Sequence, residues 1–556
     1  MRPLLLPRSG LVNIRALARG LGDPWILTTL AVSLAVIAPL LHVLTGFGTS
    51  GPAWEHVAST VLGQYVFNTA VLAISVAALS ATLAIPTAWL VSLFNFPCRR
   101  VFEWALVLPL AIPTYVAAFV YIQVPEACIP LLVWVRQTAG IDTYQLAESG
   151  LRHGLLTLLM AATLYPYLYI TARACFARQN RIVIEAAQTL GRSPGQVFAS
   201  IGLPLARPAI AAGLSLIVME VINDYGAVHF FGVPTLTEGI FRTWFGLGDR
   251  VSALSLASLA MAAVLTLVVV ERFQRGRARF AHQSGDSTPV SRRPLSRIRA
   301  ATAILVCAVP LTIGFLLPVT QLIYWSWQAI PIWGEHAVRE PQLLNSLFLS
   351  IGAAAGITLA AVVVVYTVRL HGHSYIRGAA RVAAIGYAAP GAVVAVGVMV
   401  LLGKVDRMLE QVSTTTDLPT VLLSGSLFAI GFAYFVRFLA VPLQAVRSGM
   451  TNVCGSLDEA SRILGHPPLS TLWRINLPLL KHTLLGAAVL VYIDILKELP
   501  LTMLLRPANF NTLAVTAFGL AKEGRIYESA LPSLMIVLVG TIGLVALNRL
   551  IGERTG

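Results

Sequence analysis

Charge is scarce in this chain: Asp, Glu, Lys and Arg make up 12% of its 556 residues, while 56% are hydrophobic. Soluble domains carry about 25% charged residues, so this sequence has too few to cover a surface facing water. Cysteine is sparse as well. Cys98, Cys128, Cys175, Cys307 and Cys454 are scattered, with no CxxC pair and no zinc spacing, and most of them read as small apolar fillers. The ten histidines form no HExxH pattern, and His371 and His373 read as solvated loop residues. A phosphate-cradling GxxxxGK[ST] loop is missing, because Gly403-Lys404 lacks both the earlier glycine and the following Ser or Thr. The chain therefore has no visible means of hydrolysing ATP, and no fixed metal or bound cofactor is expected of it. Arg2, Arg8, Arg15 and Arg19 precede the first apolar run without a cleavage site after it, so that run is expected to stay as an anchor.

What the chain has instead is long apolar sequence. A helix needs about 20 apolar residues to cross a bilayer. Such runs occur at 25–45, 64–93, 104–123, 153–175, 205–230 and 251–271, and again at 300–325, 345–368, 380–402, 419–445, 479–504 and 527–548. The stretch 128–135 is too short to span and reads as a re-entrant or interfacial piece. The expectation is an all-α integral membrane protein of about twelve transmembrane helices, with both termini on one side. Lys and Arg favour cytoplasmic loops. With the N-terminus inside, 25 of the 40 basic residues fall in inside segments and ten in outside loops. That distribution accounts for the net charge of +15 without any nucleic acid. Segment 272–299 is polar, Arg-rich and broken by Gly and Pro. It reads as a basic cytoplasmic linker between a first domain, 1–271, and a second, 300–556.

The two domains repeat each other. Residues 185–204 read EAAQTLGRSPGQVFASIGLP and residues 459–478 read EASRILGHPPLSTLWRINLP. Glu185 matches Glu459, Gly191 matches Gly465, Ile201 matches Ile475 and Pro204 matches Pro478, all at an offset of 274. Asn68-Thr69 and Asn345-Ser346 open the second and eighth spans, and Pro113 and Pro390 interrupt the third and ninth. Equal orientation of the two six-helix repeats implies a pseudo-two-fold axis along the membrane normal. In each loop the chain reads as a helix stopped by a glycine suited to positive φ. It then restarts at Ser193-Pro194 or His466-Pro467-Pro468 and turns back to the membrane at Pro204 or Pro478. A pair of short helices projecting into the cytoplasm suits docking on a partner.

The pattern EAA-x3-G-x9-I-x-LP resembles the EAA signature of ABC importer permeases, with Ser461 replacing the second Ala in the second copy. The resemblance covers nearly the whole chain and implies that each loop is a coupling helix seated on an ATP-binding subunit. Glu185, Ala186, Ala187, Gly191, Pro204, Glu459, Ala460, Gly465 and Pro478 would make that contact. It also implies two copies of the ATP-binding subunit, a periplasmic substrate-binding protein and a bacterial inner membrane. The stretches 223–244 and 497–515 resemble the fused permeases of ferric-iron importers, while thiamine, sulfate and polyamine permeases share the layout. The contrasting class is a secondary transporter driven by an ion gradient, which has no need of two such loops.

Charged groups within spans are costly and mark function. Glu220 and Asp494 are repeat-equivalent, as are Asp224 and Glu498, and Lys497 stands where the first repeat has Asn223. A spacing of four puts each carboxylate pair on one helix face. Two readings stand side by side. These groups line a pathway or gate between the repeats, or they pair with Lys497, Arg437 or backbone to hold the repeats together.

Overall fold

A backbone in lipid must satisfy its own hydrogen bonds, and the apolar runs do so as helices. The computed structural model of the protein describes residues 22–177, 187, 189–276, 292–333, 340–416 and 422–552. Among them, nine helices are long and apolar enough to cross a membrane, and three bent helix pairs raise the number to twelve. Every span expected from sequence falls on one of these.

The third, ninth and tenth spans are not straight. Arg99–Ala111 meets Thr114–Ala127 at 86°, Ser374–Ala388 meets Gly391–Val412 at 114°, and Leu427–Phe438 meets Ala440–Thr451 at 48°. In the first two, the cause is the matched proline. Pro113 and Pro390 push the residue before them out of the helical region, and Ile112 and Ala389 are extended, with ψ of 116° and 133°. At the third bend, Pro442 has no N–H to give the carbonyl four residues back. The stretch 128–135 lies in a short, mostly exposed helix from Ile129, separated from the span that ends at Ala177 by a break where Gly140 takes φ 88° and ψ 175°.

The repeat extends to individual hydrogen bonds. Asn68 donates to the Pro234 carbonyl at 3.0 Å, and Asn345 to the Asn511 carbonyl at 3.4 Å. The Thr69 hydroxyl accepts from Leu236 N at 3.0 Å, and the Ser346 hydroxyl from Leu513 N at 2.7 Å. Both pairs are related by an offset of 277.

The first helix of each repeat lies on the other repeat. Pro24–Leu44 packs against Glu340–His371, Ser374–Val382 and Gly391–Thr416. There the Ser33 hydroxyl donates to the Ala379 carbonyl at 2.9 Å, and Trp25 meets Tyr366 edge-on at 5.3 Å. His371, expected to be solvated, instead lies 3.1 Å from Asp23 at the end of that helix. In return, the Tyr121 hydroxyl donates to the Ile313 carbonyl at 2.7 Å. Gly314 passes so close that a Cβ would sit 2.0 Å from the Ala162 carbonyl oxygen. Extended pairing among the described residues is confined to Phe94–Asn95 beside Arg293–Pro294.

Candidate functional site

The intramembrane carboxylates gather where two helices stop short. Leu203–Asn223 ends at Asn223, and Leu477–Leu496 ends at Leu496. Asp224 and Glu498 therefore do not share a helix face with Glu220 and Asp494, as their spacing implied. Asp224 has already left the helix, with φ −68° and ψ 128°. Its Oδ1 accepts from Ala227 N at 2.8 Å and its Oδ2 from the Thr114 hydroxyl. Glu498 Oε1 accepts from Leu501 N at 3.2 Å. Each carboxylate thus caps the short helix after the break, Gly226–Phe230 or Pro500–Leu505, where free N–H groups favour negative charge.

These breaks meet across the repeat interface. Arg437, 5% exposed, donates through Nη1 to Asn223 Oδ1 at 2.9 Å and lies 3.8 Å from Glu498 Oε2. Asn223 Oδ1 also accepts from the Gly391 N–H, just after the bend at Pro390. Lys497 reaches Asp494 at 3.0 Å. A cavity of about 80 Å³ lies among Thr114, Tyr167, Glu220, Asn223, Lys497 and Glu498, room for only a few water-sized groups. Both cations come from the second repeat, where the first has Thr163 and Asn223. Among the described residues, no three His, Cys, Asp or Glu side chains converge as a metal-holding group.

The two loops share their geometry. Gly191 and Gly465 take φ 82° and 80°. The backbone N–H one residue later closes on a carbonyl five back, from Arg192 to Ala187 at 3.2 Å and from His466 to Ser461 at 3.1 Å. These are helix-terminating bonds of the Schellman kind. Ser193 and Gln196 then cap each other's backbone N–H at 3.3 and 2.9 Å, a capping box. Glu459, Ala460 and Gly465 are exposed, and Ala187 is buried. Glu185 and Ala186 lie outside the described residues.

Pro204 and Pro478 do not turn the chain back toward the membrane. The helices begin at Pro194 and Pro468 and run on through them. A π-helical turn just before each proline, Phe198–Gly202 and Leu472–Asn476, accommodates the missing N–H. The second loop also carries an anchor that sequence reading missed. Buried Asp458 accepts from Arg369 Nε at 2.5 Å and from Asn476 Nδ2 at 3.1 Å. Arg369 donates further to the carbonyls of Met450 and Val453 at 2.6 and 3.0 Å. The signal for this anchor in the sequence is the place of Arg369 in the last turn of an apolar span, where a charge needs a partner.

The chain is an all-helical, duplicated membrane protein with broken central helices and twin glycine-stopped loops, and its matches are to permease subunits of ABC transporters. The sequence profile described as "Binding-protein-dependent transport system inner membrane component" matches residues 80–276. The chain is 24% identical over 493 residues to the Fe(3+)-transport system permease protein FbpB 2 of Haemophilus influenzae, covering 88% of this chain and 90% of that one. It is 22% identical to the probable ABC transporter permease protein y4fN of Sinorhizobium fredii, over 69% of each chain. It is 24% identical to the sulfate transport system permease protein CysW of Escherichia coli, over 44% of this chain and 84% of that protein.

Proposed function

We propose that this chain forms the whole membrane pathway of an ABC importer for ferric iron, in a bacterial inner membrane with both termini cytoplasmic. One observation carries the choice of cargo. The iron-transport relative carries both repeats in one chain, matched over 88% of this protein and 90% of itself, whereas the sulfate relative is a shorter protein matched over 84% of itself and 44% of this chain. Iron is delivered by a periplasmic binding protein and is cargo, not a resident metal.

In this reading the loops at 185–204 and 459–478 each seat on one copy of an ATP-hydrolysing subunit. Their matched glycine stops and matched hydrogen bonds support a paired docking role. The cluster of Arg437, Asn223, Glu498 and the Gly391 N–H is a latch between the repeats, with Glu220, Asp224, Asp494 and Lys497 around it. Two cations facing four carboxylates hold the passage shut and leave a negative lining as the repeats part, which suits a trivalent cation. Carboxylates engaged as caps and ion pairs also bind cargo weakly enough to release it.

The test is uptake of radiolabelled ferric iron by cells with and without this chain, against labelled thiamine, sulfate and a polyamine. Iron uptake lost with the chain supports the reading. Loss of another cargo alone reassigns the substrate. Uptake by reconstituted chain without an ATPase, following an ion gradient, rejects the class.

A further inference from the structure

A second cavity lies away from the central cluster and opens to the surface, its polar lining residues being exposed. It is a cavity of about 440 Å³ between the last helix of the first repeat and three elements of the second. Its walls are apolar and include Leu265, Val269, Val365 and Ile385. Its polar groups are Arg377, Arg381, Arg447 and Gln444, with no carboxylate among the described lining residues. No described carboxylate makes an ion pair with any of the three arginines.

The first repeat supplies an internal control. At the loop offset of 274, Arg447 corresponds to Arg173, and at the proline offset of 277, Ala380 corresponds to Glu103. In the first repeat Glu103 neutralises the site. It pairs with Arg173, lies 3.1 Å from Arg99, and accepts from the Tyr169 hydroxyl at its carbonyl, also at 3.1 Å. In the second repeat the internal anion has become Ala380, which lines the cavity, while the arginine remains. The position once filled by a carboxylate is open, ringed by cationic groups and backed by apolar helix.

We propose that this cavity binds an anionic phospholipid. The phosphate headgroup takes the place of the Glu103 carboxylate between Arg447, Arg381 and Arg377, and an acyl chain lies along Leu265, Val269 and Val365. Guanidinium groups match phosphate in geometry and charge, and basic pockets between transmembrane helices on the cytoplasmic side suit such headgroups. A free phosphate satisfies the arginines but leaves the apolar walls empty.

The experiment is native mass spectrometry of the detergent-purified chain titrated with phosphatidylglycerol or with phosphatidylcholine of the same acyl chains. Inorganic phosphate is the competitor in a third arm. The wild type should retain phosphatidylglycerol preferentially. Arg447→Gln should weaken it about five-fold, since one basic residue near an anionic headgroup contributes about that factor. Ala380→Glu should abolish the preference while leaving thermal unfolding unchanged, because the first repeat already folds with a glutamate there. Equal retention of the two lipids, or an unaltered preference in Ala380→Glu, overturns the proposal. So does full displacement by millimolar phosphate, which would make this an anion site with no lipid.

Discussion

Gly391 owes its identity to what surrounds it. A Cβ there would stand 2.2 Å from Arg437 Nη1 and 2.6 Å from Glu498 Oε1, so even alanine must push the arginine away from Asn223. Overpacking of this kind costs about 1–3 kcal/mol. Gly391→Ala should therefore lower the thermal midpoint and reduce transport, whereas Gly356→Ala, with nothing within 4 Å, should do neither. Equal midpoints for the two variants would show that the close approach is unimportant. Arg437 raises a separate question of charge. Removing one partner of a buried pair costs about 3–5 kcal/mol, because the other charge is left alone. Arg437→Met should be more damaging than Arg437→Met combined with Glu498→Gln, and additive losses in that double-mutant cycle would argue against the latch. Outside the membrane, Asp249 caps helix Arg250–Gly276 through Val251 N and Ser252 N at 3.0 and 3.1 Å, and also accepts from Ala53 N at 2.8 Å. Burial pushes its carboxyl up, but the bonds from Ser252, Ala53 and Val251 outweigh that and leave it below the usual carboxylate value. A depressed carboxylate stabilises the fold above its unfolded pKa and loses that stabilisation as pH falls through the folded one. The stability gap between wild type and Asp249→Ala, about 0.5–2 kcal/mol for a lost cap, should be full at neutral pH and close as acid is added below about pH 4. A gap independent of pH would reject the ionised cap.

The helix Gly455–Ile463 hangs from one buried carboxylate. Asp458 ties it to Arg369 at the end of Glu340–His371 and to Asn476 at the π-helical turn. In the proposed importer, movement of the exposed loop would be passed through these bonds to the helix that ends at Leu496, beside Lys497 and Glu498. Asp458→Ala removes charge-assisted bonds worth about 1.5–3 kcal/mol and lets the element swing free. Transport should fall while the assembled importer continues to hydrolyse ATP, since the exposed face is intact. A variant with unchanged transport per ATP would rule out this route for the coupling. The broken spans follow the same logic of supported irregularity. Non-helical backbone at membrane depth survives only where it is buried in protein. The breaks at Asp224 and Glu498 meet that condition by facing each other and by supplying their own caps.

Exchange of first helices makes the two repeats mutually dependent. Pro24–Leu44 covers the second repeat and Arg297–Leu311 lies on the first, while Leu317–Trp333 packs chiefly on Ile526–Gly552 of its own repeat. Two separate chains, 1–271 and 300–556, should therefore assemble when co-expressed and co-purify, because no covalent link is needed where the contact is this extensive. Each alone should aggregate or be degraded. Recovery of either as a stable monomer would contradict the exchange.

The sequence by itself was sufficient for the twelve spans, the duplication, the glycine stops and the importer resemblance. These depend on local chemistry: apolar length, the conformational freedom of glycine, the missing N–H of proline, and the recurrence of residues at a constant offset. Glu220, Asp224, Asp494 and Glu498 were legible as a set because charge in an apolar run stands out. Which face they occupied was not, since spacing alone cannot reveal that the helix ends one residue before Asp224. Tertiary structure alone decided the partners. Asn223 was a neutral residue at Lys497's position until Arg437 and the Gly391 N–H arrived from the other repeat. Arg369 was a loop charge until Asp458 was brought to it. The arginine-lined cavity, too, brings together Ala380 and Arg447, far apart in the chain, without the carboxylate that joins their counterparts. Contacts of long sequence separation carry no local signature, and the packing of the two repeats against each other is what selects them.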